Sequence, residues 1–383
     1  MLKSLNNFIL ISVTFFFISM DVKVGIVSNR KTSDIKIIPV NDSSLVINGK
    51  EIKNKLRIFF NKRQIIRINC GDEILEFKNI ARILINGTAS ISNRSNQRYY
   101  RGIIDIEIRN NSLFMINTID LEDYVLSVLE SEAQNVENFE AMKANAVAIR
   151  TYAIAAKSRH IKDGYNFCDL THCQFYRGFK NIRDITYKAV NETKGIIMEY
   201  KGVPIWAMYH SVCGGRTEDA YDVWGYDTMP YLKSVRDTIG RVNLCSEGFG
   251  YRWITKISIK RFDSFVKKII SKNRKEKFLN IKNIIYSKSG RVLKFDIVSD
   301  KKKYTLSGVD FYHIAGRSFG WLAIKSTAFE VKRDNKYIIF NGRGYGHGVG
   351  MCQAGAEKMG ELGFDYKKIL KHYYSDIKFV KLY

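Results

Sequence analysis

Proline is scarce, with three in 383 residues, which excludes long stiff proline-rich linkers. No Cys-x-x-Cys pair occurs, so zinc ribbons and fingers built on that spacing are excluded. Acidic residues are few relative to basic ones, 38 against 62, giving a net charge of +24. That excess fits a polyanion partner: nucleic acid, anionic lipid or an acidic polysaccharide. An AT-rich codon bias toward Lys, Ile and Asn produces the same mix without any ligand. No internal repeat is found, and beyond the N-terminal stretch no segment is long and apolar enough to cross a bilayer. Hydrophobic residues at 45% and charged residues at 26% are ordinary for a globular chain, so disordered, collagen-like and coiled-coil readings are excluded.

The length allows two or three domains. Lys3 opens a basic start, and Phe8 to Met20 is apolar except for Ser and Thr. This is too short to span a bilayer comfortably and has the length of a signal-peptide core, although no small-x-small cleavage site follows. Residues 1–20 are therefore expected to be a signal peptide or a short anchor, with a buried strand as the other reading. Residues 21–117 show short alternating runs separated by turn signals such as Asn48-Gly49 and Asn110-Asn111, which predicts a mainly β region. At Thr118 the period changes. Leu121, Tyr124, Val125, Val128 and Leu129 share a helical face, with Thr118 or Asp120 as cap. An alanine-rich helix follows over about 138–157, expected to pack closely. Residues 118–235 and 321–383 are expected to form one mixed α+β core, interrupted by an inserted subdomain over 236–320. The expected fold class is α+β: a mainly β N-terminal part, a central helical pair, a mixed sheet, and a C-terminal glycine-rich loop plus helix.

Three places carry candidate chemistry. The apolar stripe of the first helix continues to Glu132, where burial should raise the carboxyl pKa toward that of a general acid. Glu130 lies roughly 200° away and is expected to face solvent. Residues 342–350 carry glycine at every second position and include Arg343, Tyr345 and His347, with Gln353 beyond. They match neither a GxGxxG fingerprint nor a P-loop, and alternating glycine suits close backbone approach. The Cys213 loop (Tyr209 to Thr217) with His347 leaves a cysteine hydrolase open. The six cysteines do not decide the compartment, but Cys168-Asp-Leu-Thr-His172-Cys173 groups soft ligands that could hold zinc. A structural zinc takes four ligands and three lie here.

These segments together resemble the SpoIID/LytB family of bacterial cell-wall proteins, named for stage II sporulation protein D and the amidase enhancer. The carrying residues are Tyr100-Arg101-Gly102, Asn117 to Val125, Val128 to Glu132, Ala141 to Ala153, Cys173-Gln174-Phe175-Tyr176, Cys213 to Thr217, Pro230-Tyr231-Leu232, Gly342 to Gln353, and Ile369 to Tyr374. The resemblance covers about residues 95–380. It implies a lytic transglycosylase acting on peptidoglycan glycan strands, with Glu132 as catalytic acid; Ala133-Gln134 stand where the family has Met-Pro. It further implies zinc through Cys168 and His172. Substrate contacts are expected from His347, Arg343, Tyr345, Gln353, Tyr176 and Gln174. The alternative within the family is a non-catalytic, glycan-binding enhancer of a cell-wall amidase. Expected partners are peptidoglycan strands, a cell-wall amidase and an N-terminal membrane contact, with no nucleic acid. The expected location is extracytoplasmic.

Overall fold

The structure, a computed structural model, describes residues 20–27, 32–93, 96–225, 228–273 and 275–383. The apolar N-terminal stretch therefore lies outside the described residues apart from Met20. Among the described residues no helix is long and apolar enough to cross a membrane. The fold is α+β and mainly β.

Residues 21–120 build an eleven-stranded sheet that also takes in Phe167–Cys168. Its spine is an antiparallel meander of Ala81–Ser92, Gln97–Arg109 and Ser112–Asp120. Ile83, Ile85, Ile104 and Ile106 point into the core, as period-two alternation requires. Asn110 and Asn111 both take positive φ, 48° and 56°, the left-handed pair of a tight hairpin turn. Asp21–Gly25 pairs antiparallel with Ser112–Asp120 and parallel with Phe167–Cys168, which fixes Cys168 to the sheet edge.

Helix α1, Leu121–Glu132, starts where the meander ends. Asp120 caps it by accepting the Glu122 N–H at 2.8 Å. Helix α2, Phe139–Ala155, is capped by Asn138 and carries fully buried Ala141, Ala144, Ala146 and Ala148. Those small side chains let α1 and the helices Asp184–Glu192, Gln353–Glu361 and Tyr366–Tyr373 pack around α2. Arg150 of α2 has no exposed side-chain surface; its Nη2 and Nε bond Glu122 of α1 at 2.5 and 2.8 Å.

A second apolar core is centred on phenylalanines 262, 265, 278, 295, 311, 329 and 340. It extends past the expected boundary at residue 320. Tyr337–Arg343 pairs with Arg252–Ser258 on one side and Phe329–Arg333 on the other, so both strands pack with the insertion, and Tyr337–Arg343 leads directly into the glycine-rich loop.

Candidate active site

Glu132 ends α1 with its side chain surrounded by protein but still reaching solvent. The Phe175 N–H donates to its Oε1 at 2.7 Å, and the Tyr209 hydroxyl donates to its Oε2. Burial pushes the Glu132 carboxyl above its ordinary value; the two donors pull the other way and do not overcome it. Burial and the adjacent Glu132 push the Tyr209 phenol far up, so Tyr209 keeps its proton and remains a donor. Gln174 orients Tyr209: its Nε2 donates to the Tyr209 oxygen at 3.1 Å, and its Oε1 accepts from Tyr124 at 3.1 Å.

Tertiary packing brings the C-terminal glycine loop to this helix. Tyr209–His210 pairs parallel with Met351–Cys352. The Gln353 Nε2 bonds Asn145 Oδ1 at 3.0 Å and the Glu132 carbonyl at 3.4 Å, tying the loop's end to the end of α1. His347 Nε2 donates to the Tyr209 carbonyl at 2.9 Å, and its Nδ1 accepts the Val349 N–H at 3.1 Å. Both ring nitrogens are thus engaged by backbone. Burial, helped by Arg291, pushes His347 down to about 4, so it is neutral at physiological pH. Arg343 donates to the Ser289 carbonyl, while the Tyr345 ring lies against Phe249 with centroids 6.2 Å apart. Arg291, which sequence reading passed over, is buried and donates to the carbonyls of Gly346 at 3.2 Å and Cys213 at 3.0 Å. It anchors the insertion to both loops.

Three expectations need correction. Tyr176 is 0% exposed and bonds Asn117, and Gln174 is 2% exposed, so neither can touch a glycan strand from solvent. Their effect on Glu132 runs through packing and through Tyr209. Glu130 does not face solvent. Its side chain is 14% exposed, paired with Arg183 at 3.0 Å and bonded by Thr186 at 2.5 Å, because the segment leading into helix Asp184–Glu192 packs on that side of α1. The cysteine-hydrolase reading also loses its geometry. The Cys213 sulfur faces Asp237 and Cys245, and among the described residues no hydrogen bond joins Cys213 to His347.

Cys168 and His172 do converge, and His160 and Cys173 complete a four-donor cluster whose ligand atoms lie within 4.8 Å of one another. The sulfurs are 3.5 Å apart, each 3.6 Å from His172 Nδ1, and His160 Nε2 is 3.4 Å from the same atom. A tetrahedron with Zn–S of ~2.3 Å and Zn–N of ~2.1 Å needs separations of about this size. Asp163 accepts from His160 Nδ1 at 2.8 Å, the usual outer partner of a metal-bound imidazole. The Cys173 thiol and His172 hold the Cys168 sulfur well below an ordinary thiol, toward the ligating thiolate. One contact must change on metal binding: Arg159 meets His172 Nε2 at 3.1 Å, and that nitrogen carries the proton once Nδ1 ligates. His160 escaped the sequence reading because it lies outside the compact 168–173 run. Only the chain reversal after α2 returns it.

Comparison with known proteins follows the same outline. Residues 109–200 match the family pattern described as Stage II sporulation protein, and residues 245–350 match a domain of unknown function (DUF8618). An uncharacterized protein of Brachyspira hyodysenteriae is 30% identical over 286 residues, 74% of this chain and 72% of its own length. The amidase enhancer of Bacillus subtilis is 31% identical over 282 residues, 64% of this chain and 39% of its own length. Stage II sporulation protein D of Bacillus amyloliquefaciens is 28% identical over 290 residues, 72% and 78% of the two chains. The chain belongs to the SpoIID/LytB family.

Proposed function

We propose that this protein is an extracytoplasmic lytic transglycosylase that cleaves peptidoglycan glycan strands. The observation that carries the reading is the state of Glu132: a partly exposed residue whose carboxyl is raised by burial and oriented by Tyr209 and the Phe175 amide. Its acid form protonates the glycosidic oxygen after muramic acid, and the C1–O bond breaks. The resulting carboxylate, which those two donors stabilise, then takes the proton from the sugar's own 6-hydroxyl as that oxygen bonds to C1. An anhydro-muramoyl end forms, no water is consumed, and Glu132 regains its proton. One carboxyl serving in turn as acid and base fits a site centred on a single glutamate, whereas ordinary glycosidases use two.

His347 and Gln353 hold the loops that place Tyr209 and the end of α1. Arg343 and Tyr345, both partly exposed, are the groups proposed to meet the strand. The net charge of +24 suits glycan whose muramic acid lactyl groups have been freed of peptide and are anionic. We place zinc on His160, Cys168, His172 and Cys173. With four protein ligands the site is closed and structural, and it steadies the turn two residues before the Phe175 amide.

The test is mass spectrometry of muropeptides after incubating purified protein with peptide-stripped glycan. Anhydro-muramoyl ends are expected, and they disappear with Glu132→Gln. The similarity to an amidase enhancer favours a second reading, in which the chain binds glycan and activates an amidase partner. Absence of anhydro ends together with a raised amidase rate selects that reading.

A further inference from the structure

A second cluster of ligand-type side chains lies outside the candidate active site. Cys213, Asp237, Cys245 and Cys352 come from three separate segments, Asp237 and Cys245 flanking one short hairpin, and their ligand atoms lie within 4.8 Å of one another. All four are buried, at 1%, 0%, 1% and 0% exposure. Cys213 and Cys245 Sγ are 3.4 Å apart, and Cys213 Sγ is 3.0 Å from Asp237 Oδ2. Ligands about 2.0–2.3 Å from one tetrahedral ion stand ~3.3–3.8 Å apart, so small adjustments would seat a metal. The surroundings suit thiolates. The Cys213 N–H points at Cys352 Sγ at 3.2 Å, and the Gly215 N–H points at Cys213 Sγ at 3.3 Å. Asp237 is a fully buried carboxyl hydrogen-bonded by the Tyr373 hydroxyl at 2.7 Å and by the Cys213 thiol. Keeping it ionised there is costly without a positive charge, which a bound metal ion would supply.

From this geometry we infer that Cys213, Asp237, Cys245 and Cys352 form a second, closed zinc site. Soft thiolates select zinc among the common divalent ions. Binding releases the thiol protons to solvent. Three thiolates and one carboxylate around a divalent ion leave two negative charges. Arg291, bonded to the Cys213 carbonyl at 3.0 Å, supplies a buried positive charge beside them. The four ligands join the 209–217 loop, the segment around Asp237 and Cys245, and the end of the glycine-rich loop. The ion therefore clamps the strand pair that carries Tyr209. Metal binding at these four residues does not require the proposed glycan chemistry.

The test uses full-length protein purified anaerobically without chelators. Metal content is measured for wild type, for Cys168→Ser/Cys173→Ser, which removes both sulfurs of the first cluster, and for Cys245→Ser. The double variant should retain one zinc per chain. Exchange with cobalt(II) should then give sulfur-to-cobalt absorption in that variant. Cys245→Ser should lower the wild-type content by one. If Cys245→Ser fails to fold, the cobalt spectrum of the double variant decides alone. A folded double variant with no metal and no thiolate–cobalt band overturns the inference, as does a Cys213–Cys245 disulfide in the native metal-free protein.

Discussion

The pH dependence of glycan cleavage should be set by Glu132 and tuned by Tyr209. The first step needs the carboxyl protonated, so kcat/KM should fall as pH rises through the Glu132 pKa. That limb lies above the ordinary carboxylate range, because burial outweighs the Tyr209 and Phe175 donors. Tyr209→Phe keeps the ring and the backbone carbonyl that holds His347, and removes the hydroxyl that donates to Glu132 and accepts from Gln174. A hydrogen bond to a charged group contributes about 1.5–3 kcal/mol. Water replaces part of it, since Glu132 reaches solvent, so a net loss of about 1.4 kcal/mol is a fair expectation, tenfold in the ratio of acid to carboxylate. The alkaline limb of Tyr209→Phe should therefore move up by about one pH unit. Its plateau should drop, because the carboxylate that must accept the 6-hydroxyl proton has lost a stabilising donor. The assay is release of anhydro-muramoyl ends from peptide-stripped glycan across about pH 4 to 9, with Glu132→Gln expected to be flat and at least ~100-fold slower. Stability follows the same linkage. Glu132 is raised in the folded chain, so folded protein should lose stability as pH rises above the usual carboxylate range and level off above the raised value; Glu132→Gln should remove that slope. A Tyr209→Phe limb that stays put or moves down refutes the assignment of Tyr209 as the donor that tunes the acid.

Four further outcomes are expected. Glu130→Gln should lower Tm by a few degrees, from loss of about 1–3 kcal/mol of charge-assisted bonding to Arg183 and Thr186, while activity per folded molecule persists; exposed Glu137→Gln is the neutral control. Arg150→Met should cost about 3–5 kcal/mol in urea unfolding, because it leaves Glu122 mostly buried without its partner. His160→Ala and Cys168→Ser should each remove one zinc per chain by metal analysis; unchanged content in both would count against the first site. A fusion of residues 1–30 to a reporter active only outside the cytoplasm should give signal, and full cytosolic recovery of a silent reporter would remove the export assignment.

What could be read without a structure was what local geometry encodes. The 3.6-residue stripe through Leu121, Val125 and Val128 led to Glu132, and the alternation in Gly102 to Ile108 led to a sheet, because each pattern follows from the backbone repeat of its own element. The same reasoning misplaced Glu130, since periodicity reports one apolar face and cannot show that the approach to helix Asp184–Glu192 covers another. It also offered Tyr176 as a binding residue. An aromatic with a hydroxyl suits a sugar as well as a core, and only its 0% exposure decides.

The α+β character, the glutamate at the end of an apolar helix, and the glycine loop able to approach another chain segment closely were all legible in the order of residues. Folding of distant segments brought Tyr209 and the Phe175 amide to that carboxyl, made His347 a neutral brace, and joined His160 to Cys168, His172 and Cys173. It also gathered three cysteines and Asp237 into a buried cluster. The difference is one of range. Propensity, capping and period are properties of neighbouring residues, whereas a pKa, a ligand set or a buried ion pair depends on which distant side chains the packed core holds within a few ångströms.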